Sequence, residues 1–253
     1  MALMKANSPA QYDGIAREYT ALSKKDPVKQ FVQYPETLRL LGDVRGKRVL
    51  DIGCGAGLLT EQIAGRGARI AAYDISREQI FLALSSQPKN QSITYLVSSP
   101  EKIAQALESL GIPTEFDVAV STLVLFYAEN ARQLSDFFKS TFSLLTKGAK
   151  FVSILFNPDY GFMGAAKFNR IFTRENGKST VNFLDSGQNV VASATHSDFS
   201  RADYENAAKG AGFSKFEWVD LEPSIEGIEA MGKEYWADFH ESPPYVGFVA
   251  TKE

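Results

Sequence analysis

The sequence predicts an α/β protein with a Rossmann-like sheet of seven mostly parallel strands and helices on both faces. Three observations predict it. Between Lys47 and Phe156, short apolar runs alternate with amphipathic segments, the pattern of a parallel sheet covered on both sides. A glycine-rich turn, VLDIGCGAGLLT (49–60), joins the first such run to the first such helix. An acidic residue, Asp74, ends the next run 17 positions after Gly57.

The elements follow in order. Tyr12, Ile15, Ala16, Tyr19 and Leu22 keep helical spacing. Asp26-Pro27 breaks that helix and opens another through Val28, Phe31 and Val32, and a third follows Pro35 and ends near Gly42. Strands are expected at 47–53, 68–74, 92–97, 116–121 and 149–156, with helices at 57–67, 76–86, 100–111 and 130–145. Ser76 suits an N-cap. From Asn157 to Ser197 the alternation stops. Two strand-like runs, STVNFL and NVVASAT, flank Asp185-Ser186-Gly187-Gln188 and predict a hairpin in an inserted α+β cap. A helix (200–213) and two strands (214–222 and 243–252) close the chain, the strands as an antiparallel hairpin on the sheet edge. The expected organisation is one domain: an N-terminal helical lid (1–42), a nucleotide-binding core (43–156), the cap (157–197) and a C-terminal helix with strands (198–253).

Composition narrows the function. With 253 residues, 44% hydrophobic and 23% charged, the chain has the makeup of a globular protein. A net charge of −3 and a pI near 5.6 argue against nucleic acid as a partner. There is no apolar run of membrane-spanning length. The single cysteine, Cys54, excludes an internal disulfide and fits a reducing compartment, so a cytoplasmic location is expected. The Asn90-Gln91-Ser92 sequon is read as chance. No histidine–cysteine or acidic cluster has metal-ligand spacing.

Gly53, Gly55 and Gly57 lie where a strand turns into a helix, and glycines there let a ligand approach the backbone. Asp74 stands where a carboxylate accepts hydrogen bonds from ribose hydroxyls. VLDIGCGAG resembles the first motif of class I S-adenosylmethionine (SAM)-dependent methyltransferases. A nicotinamide fingerprint would need glycine where Leu58 stands, so a NAD(P)-dependent oxidoreductase is the weaker alternative. YDGIAREY resembles the N-terminal entry helix of small-molecule methyltransferases, FDVAVSTLVLFY their fourth-strand motif, and EGIEAMGKEYWADFHESPPYVGFVATK a toxoflavin-type branch.

The resemblance implies a set of roles. Gly53, Cys54, Gly55 and Gly57 would bend around the methionine part of SAM, with Asp51 holding the loop. Asp74 would grip the ribose, and Ile75 and Ser76 would lie along the adenine. Ser98 and Ser99 stand where such families usually place an adenine-binding aspartate, and Thr122 and Leu123 would line the pocket. Tyr12 and Tyr19 share a helix face. They either close over the sulfonium or simply pack, and the two readings stand level. Cys54 is read as a small packed residue and not a nucleophile.

The implied reaction is methyl transfer to N or O of a small organic acceptor, leaving S-adenosylhomocysteine. A SAM-binding protein without catalysis is the other alternative. Expected acceptor-lining residues are Leu125, Tyr127, Phe156, Tyr160, Phe162, Phe168 and His196. Tyr160 and His196 are the weak catalytic candidates, and no general base is assigned. NPDY (157–160) and SPPY (242–245) echo an amino-methylation motif but fall at the wrong strands, so SPPY is read as a turn followed by a strand and NPDY as the entry to the cap. The acceptor's identity and the oligomeric state stay open.

Overall fold

The computed structural model describes residues 13–86, 92–185 and 187–253. Seven strands form the main sheet: β1 (Arg48–Ile52), β2 (Arg69–Asp74), β3 (Ile93–Val97), β4 (Phe116–Thr122), β5 (Leu145–Phe156), β10 (Lys215–Val219) and β11 (Tyr245–Thr251). Their order is β10-β11-β5-β4-β1-β2-β3. Strands β3, β2, β1, β4 and β5 run parallel, and β11 is antiparallel to both β5 and β10. The chain reverses its direction of winding between β1 and β4, and at such a switch point a crevice opens beyond the carboxyl ends of the strands.

The strands are buried on both sides because successive residues feed two cores. Leu50, Ile52, Ala119 and Phe151 enter one, and Val49, Val118, Val120 and Val152 enter the other. Helix α6 (Ala131–Ser143) covers the first face through Leu134 and Phe138, with Asn130 accepting from the Gln133 amide as its N-cap. Helices α3 (Leu58–Gly65) and α2 (Tyr34–Leu41) cover the second. Thus α2 is a core helix, although the sequence places it in a lid. Among the described residues of that segment, 13–42, α1 (Ala16–Lys25) supplies Tyr19 to the crevice described below.

The insert is a separate antiparallel sheet, β6 (Ala166–Lys167), β7 (Arg170–Glu175), β8 (Lys178–Leu184) and β9 (Val190–Ser197), in that order. The predicted hairpin is β8–β9, and β6 and β7 are additional. Its inner face holds Tyr160, Phe172, Val181 and Ala194 as a small core of its own. Two helices, α8 (Ile225–Met231) and α9 (Lys233–Glu241), lie between the last two strands, where the sequence shows no regular helical pattern. They bury Trp236 and Phe239 against Val28, Val32 and Ile154. NPDY and SPPY meet at the base of the insert: the Asn157 amide donates to the Pro244 carbonyl at 2.9 Å, and the Gly161 amide donates to Ser242 Oγ at 2.8 Å. Among the described residues, no helix is long and apolar enough to cross a membrane.

Candidate active site

The crevice beyond the ends of β1, β2, β3 and β4 is a cavity of about 630 Å³. Its floor is the glycine turn. Gly53, Gly55 and Gly57 have φ of 68°, 55° and 78°, a left-handed backbone that glycine adopts without penalty. The three differ in what surrounds them. A Cβ on Gly53 would stand 2.3 Å from Val124 Cγ2, and one on Gly57 would stand 2.1 Å from Tyr95 Oη. A Cβ on Gly55 would meet nothing closer than Gln79 Oε1 at 3.7 Å. Gly53 and Gly57 are therefore required by packing, while Gly55 leaves open space on the cavity side.

Asp74 closes the adjoining wall. Its Oδ2 accepts from the Gly55 amide and its Oδ1 from the Ser76 amide, both at 2.9 Å. Burial raises its pKa, and those two amides hold it down. The carboxylate is thus oriented by the glycine loop and keeps lone pairs for hydroxyl donors on a ligand. Asp51 sits behind the loop, 3% exposed, and accepts from Thr60 Oγ1 at 2.6 Å. Burial pushes its pKa up to about 7, against the Thr60 hydrogen bond and helped by nearby Asp74. Its geometry is that of a loop anchor.

The other predicted positions divide. Tyr19, Ile75, Ser98, Ser99, Thr122 and Leu123 line the cavity. Leu123 holds φ of 61°, a strained value for a leucine, at the switch point. Ser76 is 1% exposed and accepts from the Gln79 amide at 3.2 Å, so it caps α4 (Arg77–Ser86) as expected and supports the wall from behind. Gly57 starts α3 from behind the cavity surface. Cys54 packs under the loop, and burial raises its thiol well above the usual range, which leaves it inert. Tyr12 lies outside the described residues.

On the opposite wall stand Tyr127 and, from the insert, Lys178, Thr195, His196 and Ser197. His196 is 6% exposed, and its ring stacks on Phe156 with centroids 4.9 Å apart and planes 9° apart. Its Nδ1 lies 2.9 Å from the Ser197 carbonyl. A carbonyl only accepts, so Nδ1 carries the proton and Nε2 is a bare acceptor. Burial lowers the His196 pKa to about 4. The imidazole is a neutral part of an aromatic wall near neutral pH.

Tyr160 is set apart from this cavity, contrary to expectation. It is 5% exposed, packs on Phe162 and Phe172, and borders a separate void of about 20 Å³ that it shares with His196. Burial pushes its pKa up to about 12. Leu125, Phe162 and Phe168 also pack elsewhere: Leu125 in the main core, Phe162 in the insert, and Phe168 against Tyr235, Trp236 and Phe239. Tyr160 and Phe162 help fill the insert's own small core, and Phe156 packs against it. Sequence reasoning missed Gln79, Glu101, Gln133, Phe137, Lys178 and Thr195 as lining residues. Glu101 is the one with a legible signal, being a carboxylate three residues after Ser98 in the stretch assigned to adenine.

Fold and site together define a nucleotide-cofactor-binding protein of Rossmann-like type. Residues 28–217 match the family described as a methyltransferase domain. The chain belongs to that family, and through it to the class I SAM-dependent methyltransferases; SAM is the cofactor of that class. It is 37% identical over 86 residues to a ubiquinone biosynthesis O-methyltransferase of Dechloromonas aromatica, a match covering 34% of this chain and 35% of that protein. It is 37% identical over 103 residues to the mitochondrial enzyme of that name in Schizosaccharomyces pombe, covering 40% and 34%. The chain thus spans about a third of the length of these relatives. Among solved structures, a SAM-dependent methyltransferase from Mesorhizobium loti superposes with a TM-score of 0.62 at 20% identity, covering 91% of this chain and all of that one. The CcbJ methyltransferase from Streptomyces caelestis gives 0.62 at 14% identity, covering 87% and 89%. These two likenesses are likenesses of fold.

Proposed function

We propose that the protein transfers the SAM methyl group to a small organic acceptor held between the glycine loop and the inserted sheet. The observation that carries this reading is the continuity of one cavity from Asp74 to His196 and Thr195. A methyl donor bound along the strand ends and an acceptor under the insert would share it, and alignment of the two supplies most of such a rate. Oxygen is the favoured methylated atom, because the similar O-methyltransferases carry that name. Tyr127, Phe137 and the His196 face favour a flat acceptor held by stacking. The toxoflavin-type resemblance of the C-terminal segment is the narrower assignment, and a cytoplasmic location rests on the lone cysteine.

The adenosine end is assigned to Asp74, Ile75, Ser98 and Ser99, and the amino-acid end to Gly53 and Gly55. His196 is assigned to the acceptor wall as an aromatic face, its Nε2 being buried. The test is incubation with labelled SAM and a fractionated metabolite extract, followed by mass spectrometry. A small molecule should gain a methyl group. Intact SAM binding with no labelled product would favour a SAM-binding protein without catalysis.

A further inference from the structure

Beside the cavity lies a buried set of charges that does not balance. Arg170 of β7, 3% exposed, pairs with Asp26 and donates from Nη1 to the Phe168 carbonyl at 2.9 Å, while its buried Nε has no hydrogen-bond partner among the described residues. Lys29, 8% exposed, donates from Nζ to Tyr19 Oη at 2.9 Å. Burial works against that ammonium, but Tyr19, Tyr34 and Asp26 outweigh it and raise its pKa above the ordinary lysine value. Among the described residues, two cations thus face one carboxylate. The stretches outside the described residues contain no Asp or Glu that would supply another. An excess cation in such surroundings is costly, and an anion brought to the adjoining cavity wall would offset it. Tyr19 connects the cluster to the cavity, since it holds Lys29 on one side and forms the cavity wall on the other.

We propose that the Lys29–Tyr19 pair, with Arg170 behind it, is a carboxylate-recognition element of the active site. The inference rests on the methyltransferase reading and deepens it. Two bound molecules would bring a carboxylate to this wall: the amino-acid end of SAM, or an acidic acceptor. Lys29 acts as a positioning residue, through Tyr19.

Lys29→Met keeps the packed length of the side chain and removes the charge. Without ligand, the variant should keep its sheet by circular dichroism, so that a change in titration reports recognition and not unfolding. Its ligand recognition should fall. Calorimetric titration with S-adenosylhomocysteine and with 5′-methylthioadenosine, which lacks the amino-acid end, separates the sources. A loss of roughly ten-fold or more for the first ligand only assigns the carboxylate to the cofactor. Unchanged binding of both, with lost methylation of compounds in the acidic fraction of a metabolite extract, assigns it to the acceptor. Unchanged binding and unchanged labelling overturn the proposal, as does equal weakening of both ligands. Should Lys29→Met fail to fold, Tyr19→Phe retains the lysine and severs the contact, and the same titrations decide. Absence of label from every fraction with wild type counts against methyl transfer itself and leaves the titrations to decide the carboxylate.

Discussion

Alanine at each glycine of the turn separates packing from ligand contact. At Gly57, alanine must hold φ near 78° and place Cβ against the Tyr95 hydroxyl and Cζ, 2.1 and 2.9 Å away. The left-handed backbone costs about 1–2 kcal/mol and the overpacked contact about 1–3 kcal/mol. Restriction of the unfolded chain returns about 0.4–1 kcal/mol. A net loss of roughly 2–4 kcal/mol lowers the melting temperature by roughly 4–16 °C for a chain of this size. At Gly55 the backbone term remains, but the nearest neighbour is 3.7 Å away. The melting temperature should drop by only about 2–4 °C. That methyl group, however, projects into the space assigned to the cofactor, so S-adenosylhomocysteine affinity should fall ten-fold or more, by roughly 1.4 kcal/mol at least. Differential scanning calorimetry and isothermal titration of both variants supply the two readings. Equal stability of the two variants would refute the packing argument, and wild-type affinity in Gly55→Ala would refute the assignment of the loop to the ligand.

Other perturbations have defined signs. His196 is neutral when folded, with a pKa of about 4, against 6.5 in the unfolded chain. The unfolded chain therefore binds the extra proton between those values. Stability is fully present above pH 6.5 and falls by roughly 3 kcal/mol as pH drops to about 4; urea midpoints of His196→Gln should vary less over that window. Asp51 acts in the opposite sense: its pKa of about 7 when folded means stability is lost as pH rises from the ordinary carboxylate range towards 7. Asp51→Asn should remove that slope in the same titration. Asp26→Asn leaves Arg170, whose side chain is 4% exposed, without its counter-charge. It should cost about 3–5 kcal/mol in urea unfolding, much of it recovered in Asp26→Asn with Arg170→Met. Stability in Asp26→Asn matching wild type would mean that the pair is not buried as described.

The strand–helix alternation made the sheet legible because strands buried on both faces leave continuous apolar runs, as in KRVLDIG and AKFVSILF. Asp74 and the glycines were legible because few other structures require three alternating glycines after a strand and an acid at the end of the next. Strand β7 was not. Its inward positions include Arg170, whose charge is met by Asp26 from a distant part of the chain, and so the apolar alternation is broken. Helices α8 and α9 were obscured by their length, seven and nine residues, and by glycines. Gly227 lies inside α8 because a Cβ there would stand 2.5 Å from Phe31 Cβ, a tertiary constraint with no local signature. The acceptor wall was half legible: Tyr127 and His196 lie on it, while Tyr160 and Phe162 pack in the insert's own core and Phe168 packs against Trp236 and Phe239. Nothing in the spacing distinguished an aromatic facing a cavity from one facing a second small sheet.

The central claim is that the cavity between the glycine loop and the inserted sheet is a SAM site gripped by Asp74. Titration of S-adenosylhomocysteine into wild type and Asp74→Ala tests it most directly. Wild type should bind one equivalent. The variant, which loses a charge-assisted acceptor worth about 1.5–3 kcal/mol, should bind roughly 10- to 150-fold more weakly while its sheet stays folded by circular dichroism. No binding to wild type, or the same affinity in a folded Asp74→Ala, would contradict the account.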